Sequence, residues 1–356
     1  MSAIDDPLIL RGTTIPNRLW MSPMCQYSAG DDGVPNDWHL VHYGSRAVGG
    51  CGLVMVESTA IGPQHRTTSA DLGIWNQEQV IAHKRITEFI REAGAVPAVQ
   101  LQCAGRKSSH MLPWKEEGQN SPVGLSDGGW TPLAPSPVPF GNLTIPQGMS
   151  AEEIDDVVTA FVRAARLSHD ADYEIVEIHA GHGYLLHQFL SPLANQRTDE
   201  YGGSLENRMR LPLRVAAAVR DAFPNDKPVF LRITATDWVD GGITIDEAVR
   251  FAQELAKTGI DLLDVTSGAL VHNAPPPQRT GLNVGHSQTL KSASGLPVAP
   301  VGQMEAQDDI RKALEGAGTD AVIIGRALLR DPYFALRMQK SNPQSTWPHQ
   351  YHRALK

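Results

Sequence analysis

The feature that most constrains this chain is an alternation. Short apolar, β-rich runs recur at Leu19–Met21, Leu53–Val56, Val96–Val99, Ile175–Ile178, Val229–Ile233, Leu262–Val265, Val298–Val301 and Ala321–Ile324. Between them lie stretches with helical spacing at Asp37–Val48, Gln77–Ala93, Ala151–Ser168, Ser204–Ala222, Ile245–Lys257, His286–Ser292 and Gln307–Leu314. Strands that alternate with helices pair in parallel through crossovers. Eight of them predict an α/β fold of the (β/α)8 TIM-barrel type. A doubly wound sheet would need a G-x-G-x-x-G turn after its first strand, and none occurs there.

Smaller signals add detail. Leu8–Leu10 and Thr13–Ile15 predict an N-terminal β-hairpin. Ser150-Ala-Glu-Glu153 is a helix-starting capping box, and Gly94, Gly259 and Gly295 sit where left-handed helix ends prefer glycine. Arg106–Gly148 is rich in Gly, Pro, Ser and Trp without periodicity, a long insertion after strand three that should overhang the C-terminal face of the barrel. Barrels reach this size as one unit, so residues 1–356 are expected to form a single domain.

Composition narrows the partners. With 31 Lys+Arg against 39 Asp+Glu, the net charge of −8 lacks the basic footprint that nucleic acid requires. No run approaches the ~20 apolar residues of a membrane span. The N-terminal MSAIDDPLIL does not read as a signal peptide. No membrane association and a cytoplasmic location are expected. Cys25, Cys51 and Cys103 are odd in number and lack C-x-x-C spacing, which points away from disulfides and structural zinc.

In a barrel, chemistry collects where strands end. Strand one runs into Ser22-Pro-Met-Cys-Gln-Tyr27, strand two into Glu57-Ser-Thr-Ala60, strand three into Gln100-Leu-Gln-Cys-Ala-Gly-Arg106 and strand four into His179-Ala-Gly-His-Gly-Tyr184. Strand five carries Arg232, and strands seven and eight end at Gly302 and Gly325-Arg326. Glycines followed by a helix start expose N–H groups, and Arg326 adds a forked donor, which together suit a phosphate. His179-x-x-His182 has three readings: a metal pair completed by Glu57, a packed and an exposed histidine, or two donors to a carbonyl or nitro oxygen. Tyr184, protonated at neutral pH, would supply a proton in the last.

Several of these segments are landmarks of one family. Ser22-Pro-Met-Cys-Gln-Tyr27, Gln100 with Ala104-Gly-Arg-Lys107, His179-Ala-Gly-His-Gly-Tyr-Leu185 and the run from Phe189 to Arg208 resemble the Old Yellow Enzyme family of FMN-dependent ene-reductases. The Cys25 and Tyr27 pair is similar to its thermophilic-like, xenobiotic-reductase branch. The resemblance extends from about Pro7 to the C-terminus. It implies a barrel that binds FMN, takes hydride from NADPH or NADH, and passes it to the activated C=C bond of an enone or nitro compound. By the same resemblance Ser22, Pro23, Met24, Cys25, Ala60, Gln100, Arg232, Gly302, Gly325 and Arg326 hold the cofactor. His179, His182, Cys25 and Tyr27 bind substrate, and Tyr184 donates the proton. No metal is implied. Gln350-Tyr-His-Arg353 is similar to the branch's tail, in which an arginine reaches a neighbouring active site, so a homodimer or homotetramer with Arg353 in that role is implied. Two residues depart from the pattern. Cys103 replaces a usual His, which bears on a hydrogen bond beneath the flavin, and Gly181 replaces a usual Ala, which bears on loop stiffness. A metal-dependent barrel hydrolase or lyase and a non-catalytic flavin-binding module are the competing functions.

Overall fold

The computed structural model describes residues 4–115, 121–316, 318–339 and 347–355. The chain opens with an antiparallel hairpin of β1 (Leu8–Leu10) and β2 (Thr13–Ile15), as its turn-flanked pair of short runs predicts. Next come β3 (Leu19–Met21), α1 (Asp37–Val48), β4 (Leu53–Ala60), α2 (Gln77–Glu92) and β5 (Val96–Gln102). Among its described residues the long insertion contributes a parallel ladder of β6 (Leu133–Ala134) and β7 (Gln147–Gly148), a bridge between His110 and Pro122, and short 3-10 turns. The alternation resumes with α3 (Ala151–Asp170), β8 (Ile175–Ala180), α4 (Leu185–Leu190), α5 (Leu205–Ala222), β9 (Val229–Thr234), α6 (Ile245–Leu255) and β10 (Leu262–Thr266). It ends with α7 (Val284–Ser294), β11 (Val298–Pro300), α8 (Gln307–Glu315), β12 (Val322–Ile324), α9 (Arg326–Arg330), α10 (Phe334–Met338) and a 3-10 helix at His349–Leu355.

Eight strands pair in parallel in the order β11-β10-β9-β8-β5-β4-β3-β12, and a bridge between Val301 and Ile323 closes the ring. This is the (β/α)8 barrel. Four helices, α1, α2, α3 and α6, start in reciprocal capping boxes on Asn36, Asn76, Ser150 and Thr244. Gly94, Gly259 and Gly295 follow helix ends at φ of 86°, 85° and 75°, where a Cβ would be strained.

The strands differ from the apolar runs in a telling way. β4, β5, β8, β9 and β10 continue past the last apolar residue read from the sequence, to Ala60, Gln102, Ala180, Thr234 and Thr266. Their last turns of the pleat point polar side chains into the barrel, so the apolar signal stops before the strand does. β11 stops at Pro300, and Val301 beyond it donates its N–H to Val265 and forms the closing bridge with Ile323. α7 begins two residues earlier than predicted, and the short helices α4, α9 and α10 had no periodic signal long enough to read.

The core divides in two. One large apolar layer lies between strands and helices and includes Val54, Val99, Ile178, Leu231 and Val265 with Ile86, Phe161 and Phe251. A smaller cluster draws on every barrel strand, among its members Trp20, Met55, Ala98, Ile175, Phe230, Leu262, Ala299 and Ile323. These fill the barrel's interior, where the Trp20 and Phe230 rings stack at 5.8 Å between centroids.

Candidate active site

The site is built by counting upward from that apolar floor. Successive same-face residues on a strand are two apart. Two positions beyond Trp20, Ala98, Ile175, Phe230 and Leu262 stand Ser22, Gln100, Glu177, Arg232 and Asp264, all polar and all buried. Two positions further come Gln102, His179, Thr234 and Thr266. The barrel interior therefore changes from apolar to polar toward the C-terminal ends of its strands.

The lower polar layer is one network. Arg232 donates from Nε to Asp264 Oδ2 at 2.6 Å and from Nη2 to Ser22 Oγ at 3.3 Å, and its Nε lies 3.7 Å from Glu177 Oε1. Gln100 donates from Nε2 to Glu177 Oε1 at 2.7 Å. Burial opposes the Arg232 charge, but Asp264 and Glu177 outweigh it and hold the guanidinium more firmly protonated than usual. Glu177 and Asp264 were not among the residues expected at the site. Their signal in the sequence was a lone acid at the strand's inward period within an otherwise apolar run.

The loop after β8 brings the predicted trio together. The rings of His179 and His182 meet edge to face at 5.3 Å, and those of His179 and Tyr184 at 4.9 Å. His179 Nδ1 accepts from the Gly181 N–H at 3.2 Å, so the neutral ring carries its proton on Nε2 and can donate from there. His182 Nε2 contacts Thr266 Oγ1 at 2.8 Å. Burial, then neighbouring charge, pushes both imidazoles well below their ordinary value, so both are neutral at physiological pH. Burial, then the Cys25 thiol and Asp71, pushes Tyr184 up, which keeps its phenol protonated.

Three further contacts shape this loop. His182 adopts φ 53°, and Lys107 donates from Nζ to its carbonyl at 2.7 Å and to that of Ala269, at φ 65°, at 2.6 Å. The same ammonium lies 5.5 Å from the Tyr184 ring centroid. His187, two residues into α4, accepts from the Gly183 N–H at 2.8 Å and pairs through Nε2 with the buried Asp237 at 2.9 Å. At Gly181 a Cβ would come within 3.1 Å of both Thr234 and Thr266, so the glycine makes room for those two threonines.

Cys25 and Tyr27 lie on the loop after β3, with Tyr27 at φ 49°. Burial, then acidic neighbours, drives the Cys25 thiol above its ordinary value, so it is a thiol and not a thiolate. Tyr27 packs edge-on against Trp114 at 6.0 Å. Tyr27, Lys107, His110, Phe140, Tyr184 and His272 line a cavity of about 350 Å³, which the insertion and the loop after β10 roof. Phe140 and His272 are site residues that the sequence alone did not single out, and Lys107 stood there only as the end of a motif, with no role assigned.

The remaining predicted residues are more dispersed. Ala60 and Ser22 are buried at strand ends, and Ser22 N–H bonds to Ile324 across the barrel seam. Pro23 and Met24 follow, and Met24 Sδ lies within 3.6 Å of where a Cβ on Gly325 would stand. Gly302 takes φ 126°, and Gly325 precedes α9 with no side-chain cap, leaving the first N–H groups of that turn unclaimed. Arg326 is half-exposed and pairs with Glu305 at 3.0 Å. Arg353 is exposed on the C-terminal 3-10 helix. Glu57 does not join the histidine pair: it accepts from Tyr43 OH at 2.8 Å and Gln26 N–H at 2.7 Å, with His39 3.6 Å away. Among the described residues no group of three His, Cys, Asp or Glu side chains is arranged to hold a metal ion. Cys51 packs in the outer core, and the described residues include no helix long and apolar enough to cross a membrane.

Cys103, the departure from the resembling pattern, lies with Sγ 3.0 Å from His65 Nδ1. An imidazole thus reaches the end of β5 from the loop after β4. Burial keeps both neutral, pushing the thiol up to about 12 and the imidazole down to about 4.

The donor set suits a planar ring with an anionic edge and a phosphate tail. It offers a buried permanent cation with an amide and a hydroxyl beside it, and uncapped N–H groups where β12 ends. Comparison with known proteins agrees. The profile of the NADH:flavin oxidoreductase / NADH oxidase family matches residues 4–345. NADPH dehydrogenase of Bacillus cytotoxicus is 38% identical over 351 residues, covering 98% of this chain and 95% of that protein. NADPH dehydrogenase of Bacillus subtilis is 38% identical over 353 residues, covering 98% and 97%. Among solved structures, the old yellow enzyme homologue from Zymomonas mobilis superposes with a TM-score of 0.80 at 25% identity, covering 97% of this chain and 96% of that one. Morphinone reductase in complex with tetrahydroNAD does so with a TM-score of 0.78 at 26% identity, covering 95% and 91%. The chain belongs to the NADH:flavin oxidoreductase, or Old Yellow Enzyme, family, and is an FMN- and NAD(P)H-using oxidoreductase.

Proposed function

We propose that this oxidoreductase reduces the activated C=C bond of α,β-unsaturated carbonyl and nitro compounds. The observation that carries the reading is the convergence of two neutral imidazoles and a protonated phenol within about 5 Å ring to ring at the mouth of the barrel. Bound FMN supplies the hydride chemistry, accepting from NAD(P)H and passing on to the electrophile.

The protein's own residues divide the remaining work. Arg232, Gln100 and Ser22 would hold the ring edge that becomes negative on reduction. Pro23, Met24, Cys25 and Ala60 would line the ring. Gly302, Gly325 and Arg326 would hold the phosphate, with Arg326 leaving Glu305 to do so. His179 offers Nε2–H to the substrate oxygen. His182 offers Nδ1–H if the Thr266 hydroxyl donates to its Nε2. Charge grows on that oxygen during the reaction, where one preorganised donor is worth roughly 2.7–4 kcal/mol. Neutral rings suit this role, because they donate without a charge to bury. Tyr184 protonates the α-carbon. Cys25 and Tyr27 shape the substrate side of the pocket. Arg353 would complete the pocket of a second subunit, making the protein a homodimer or homotetramer.

The test is anaerobic stopped-flow: reduction by NADPH and by NADH, then reoxidation by cyclohexenone, maleimide and a nitroalkene. Tyr184→Phe should slow reoxidation by the poorly activated cyclohexenone at least tenfold and by maleimide much less. Replacing His179 and His182 by Ala should leave FMN bound and weaken electrophile binding. A reduced flavin that none of these compounds reoxidises would overturn the reading.

A further inference from the structure

The lower polar layer holds one more acid than its cation can balance. Glu177 and Asp264 are completely buried on the two strands that flank Arg232. All donors in the network converge on one oxygen of each: Gln100 and Arg232 on Glu177 Oε1, Arg232 on Asp264 Oδ2. Glu177 Oε2 and Asp264 Oδ1 are buried with no hydrogen-bond partner. The two carboxyls meet on a single nitrogen, Arg232 Nε, which lies 2.6 Å from Asp264 Oδ2 and 3.7 Å from Glu177 Oε1.

The surroundings leave little else to settle the charge. Below lies the apolar floor of Ile175, Phe230 and Leu262. β5 contributes only the neutral Gln100, β3 leads to the Ser22 hydroxyl, and β11 offers Ala299. Above stand His179 and His182, which Arg232 helps to keep neutral, and the Cys25 thiol. Lys107 and His187 lie toward the two histidines and help to keep them neutral. Two buried carboxylates facing one guanidinium would leave a net negative charge in a dry interior, which a shared proton removes. Burial and mutual repulsion accordingly push Glu177 up, and burial does the same for Asp264. Such a pair titrates as a unit.

We propose that Glu177 and Asp264 form a one-proton carboxyl pair beneath Arg232, which binds its proton more tightly when the flavin is reduced. The inference rests on the reading that Arg232 faces the flavin's pyrimidine edge. The balance is simple. In the pH range where the pair is unprotonated beside the oxidised ring, reduction of bound FMN by NAD(P)H would draw one proton from solvent onto the pair. Reoxidation by the electrophile would return that proton to solvent. Arg232 thus meets the reduced ring with its positive charge undiminished by a second carboxylate.

The test is the midpoint potential of the FMN-loaded protein as a function of pH, from about 6 to about 10. Wild type should show a window in which one extra proton accompanies the two electrons. That is a tenfold steeper dependence of the equilibrium constant per pH unit, about 30 mV for a two-electron couple. Glu177→Gln and Asp264→Asn each keep a donor between the two side chains while removing the exchangeable proton, and should lack the window. Wild type should also show a carboxylic-acid C=O band in its infrared spectrum that both variants lose. Parallel potential profiles for all three proteins, or no such band, would overturn the proposal. Arg232→Gln separates the two ideas. A lowered potential with parallel profiles overturns the carboxyl pair alone, whereas an unchanged potential shows that Arg232 does not face the flavin.

Discussion

Glu57 shows how one buried side chain sets a pH dependence. Burial lifts its carboxyl from 4.5 to about 8, more than its bonds from Gln26 and Tyr43 can offset. The folded chain therefore binds this proton more tightly than the unfolded chain does. Its stabilising contribution is complete below about 4.5 and is lost as pH rises through about 8. Urea-denaturation midpoints should fall for wild type relative to Glu57→Gln across that interval, by on the order of a few kcal/mol in stability. Parallel pH profiles for the two proteins would refute it. Residues of this kind were only partly legible in the sequence. His179, His182 and Tyr184 stand in one short loop, so proximity in the chain places them together. Glu177 and Asp264 are 87 positions apart, and their partnership exists only because alternate strands of the ring, β8 and β10 on either side of β9, share one interior layer. His65 and Cys103, 38 positions apart, meet because the turn after β4 passes over the end of the neighbouring β5.

At the scale of elements, helix starts and apolar runs carried strong signals because both are local. The capping box at Ser150 and Glu153 forms as its spacing requires, with Ser150 Oγ accepting from Glu153 N–H at 3.1 Å and Glu153 Oε2 from Ser150 N–H at 2.8 Å. Ser150→Ala should cost about 1 kcal/mol in urea denaturation and leave turnover unchanged, since α3 packs on the barrel's outer layer. The box on Asn36 was harder to read, because its third residue is His39 and not Glu or Gln. Loops were harder still. Nothing in the run after β5 announces that Lys107 will tether carbonyls in the loops after β8 and β10, both from non-glycine residues at positive φ. Burial pulls this ammonium down to about 7, with Arg106 adding to the effect. Lys107→Met should leave those two carbonyls without their donor and cost about 1–3 kcal/mol for each. It should also raise KM for the electrophile, because His182 and Tyr184 lie in the freed loop. An unchanged denaturation midpoint would show that the tether does not hold the loops.

At the scale of the whole molecule, one barrel supplies almost every part of the site, and the part it leaves open is the outer wall of the cavity. The exposed arginine in that account, Arg353, lies on the C-terminal 3-10 helix, and the exposed apolar side chains Trp38, Val41 and Ile81 lie on α1 and α2. If Arg353 serves a second subunit, its loss and the loss of Tyr184 must be separable between chains. Arg353→Ala and Tyr184→Phe should each be slow as homo-oligomers with cyclohexenone. Co-expressed with different affinity tags and purified through both, the mixed oligomer contains a site with the intact Tyr184 of one chain and the intact Arg353 of the other. That site should restore turnover toward half of the wild-type value per dimer, while the opposite site lacks both groups. A mixed oligomer no faster than the average of its parents would place Arg353 within its own chain's site or outside catalysis. Tail and barrel would then be independent parts of the molecule, and the assembly would have no share in the chemistry.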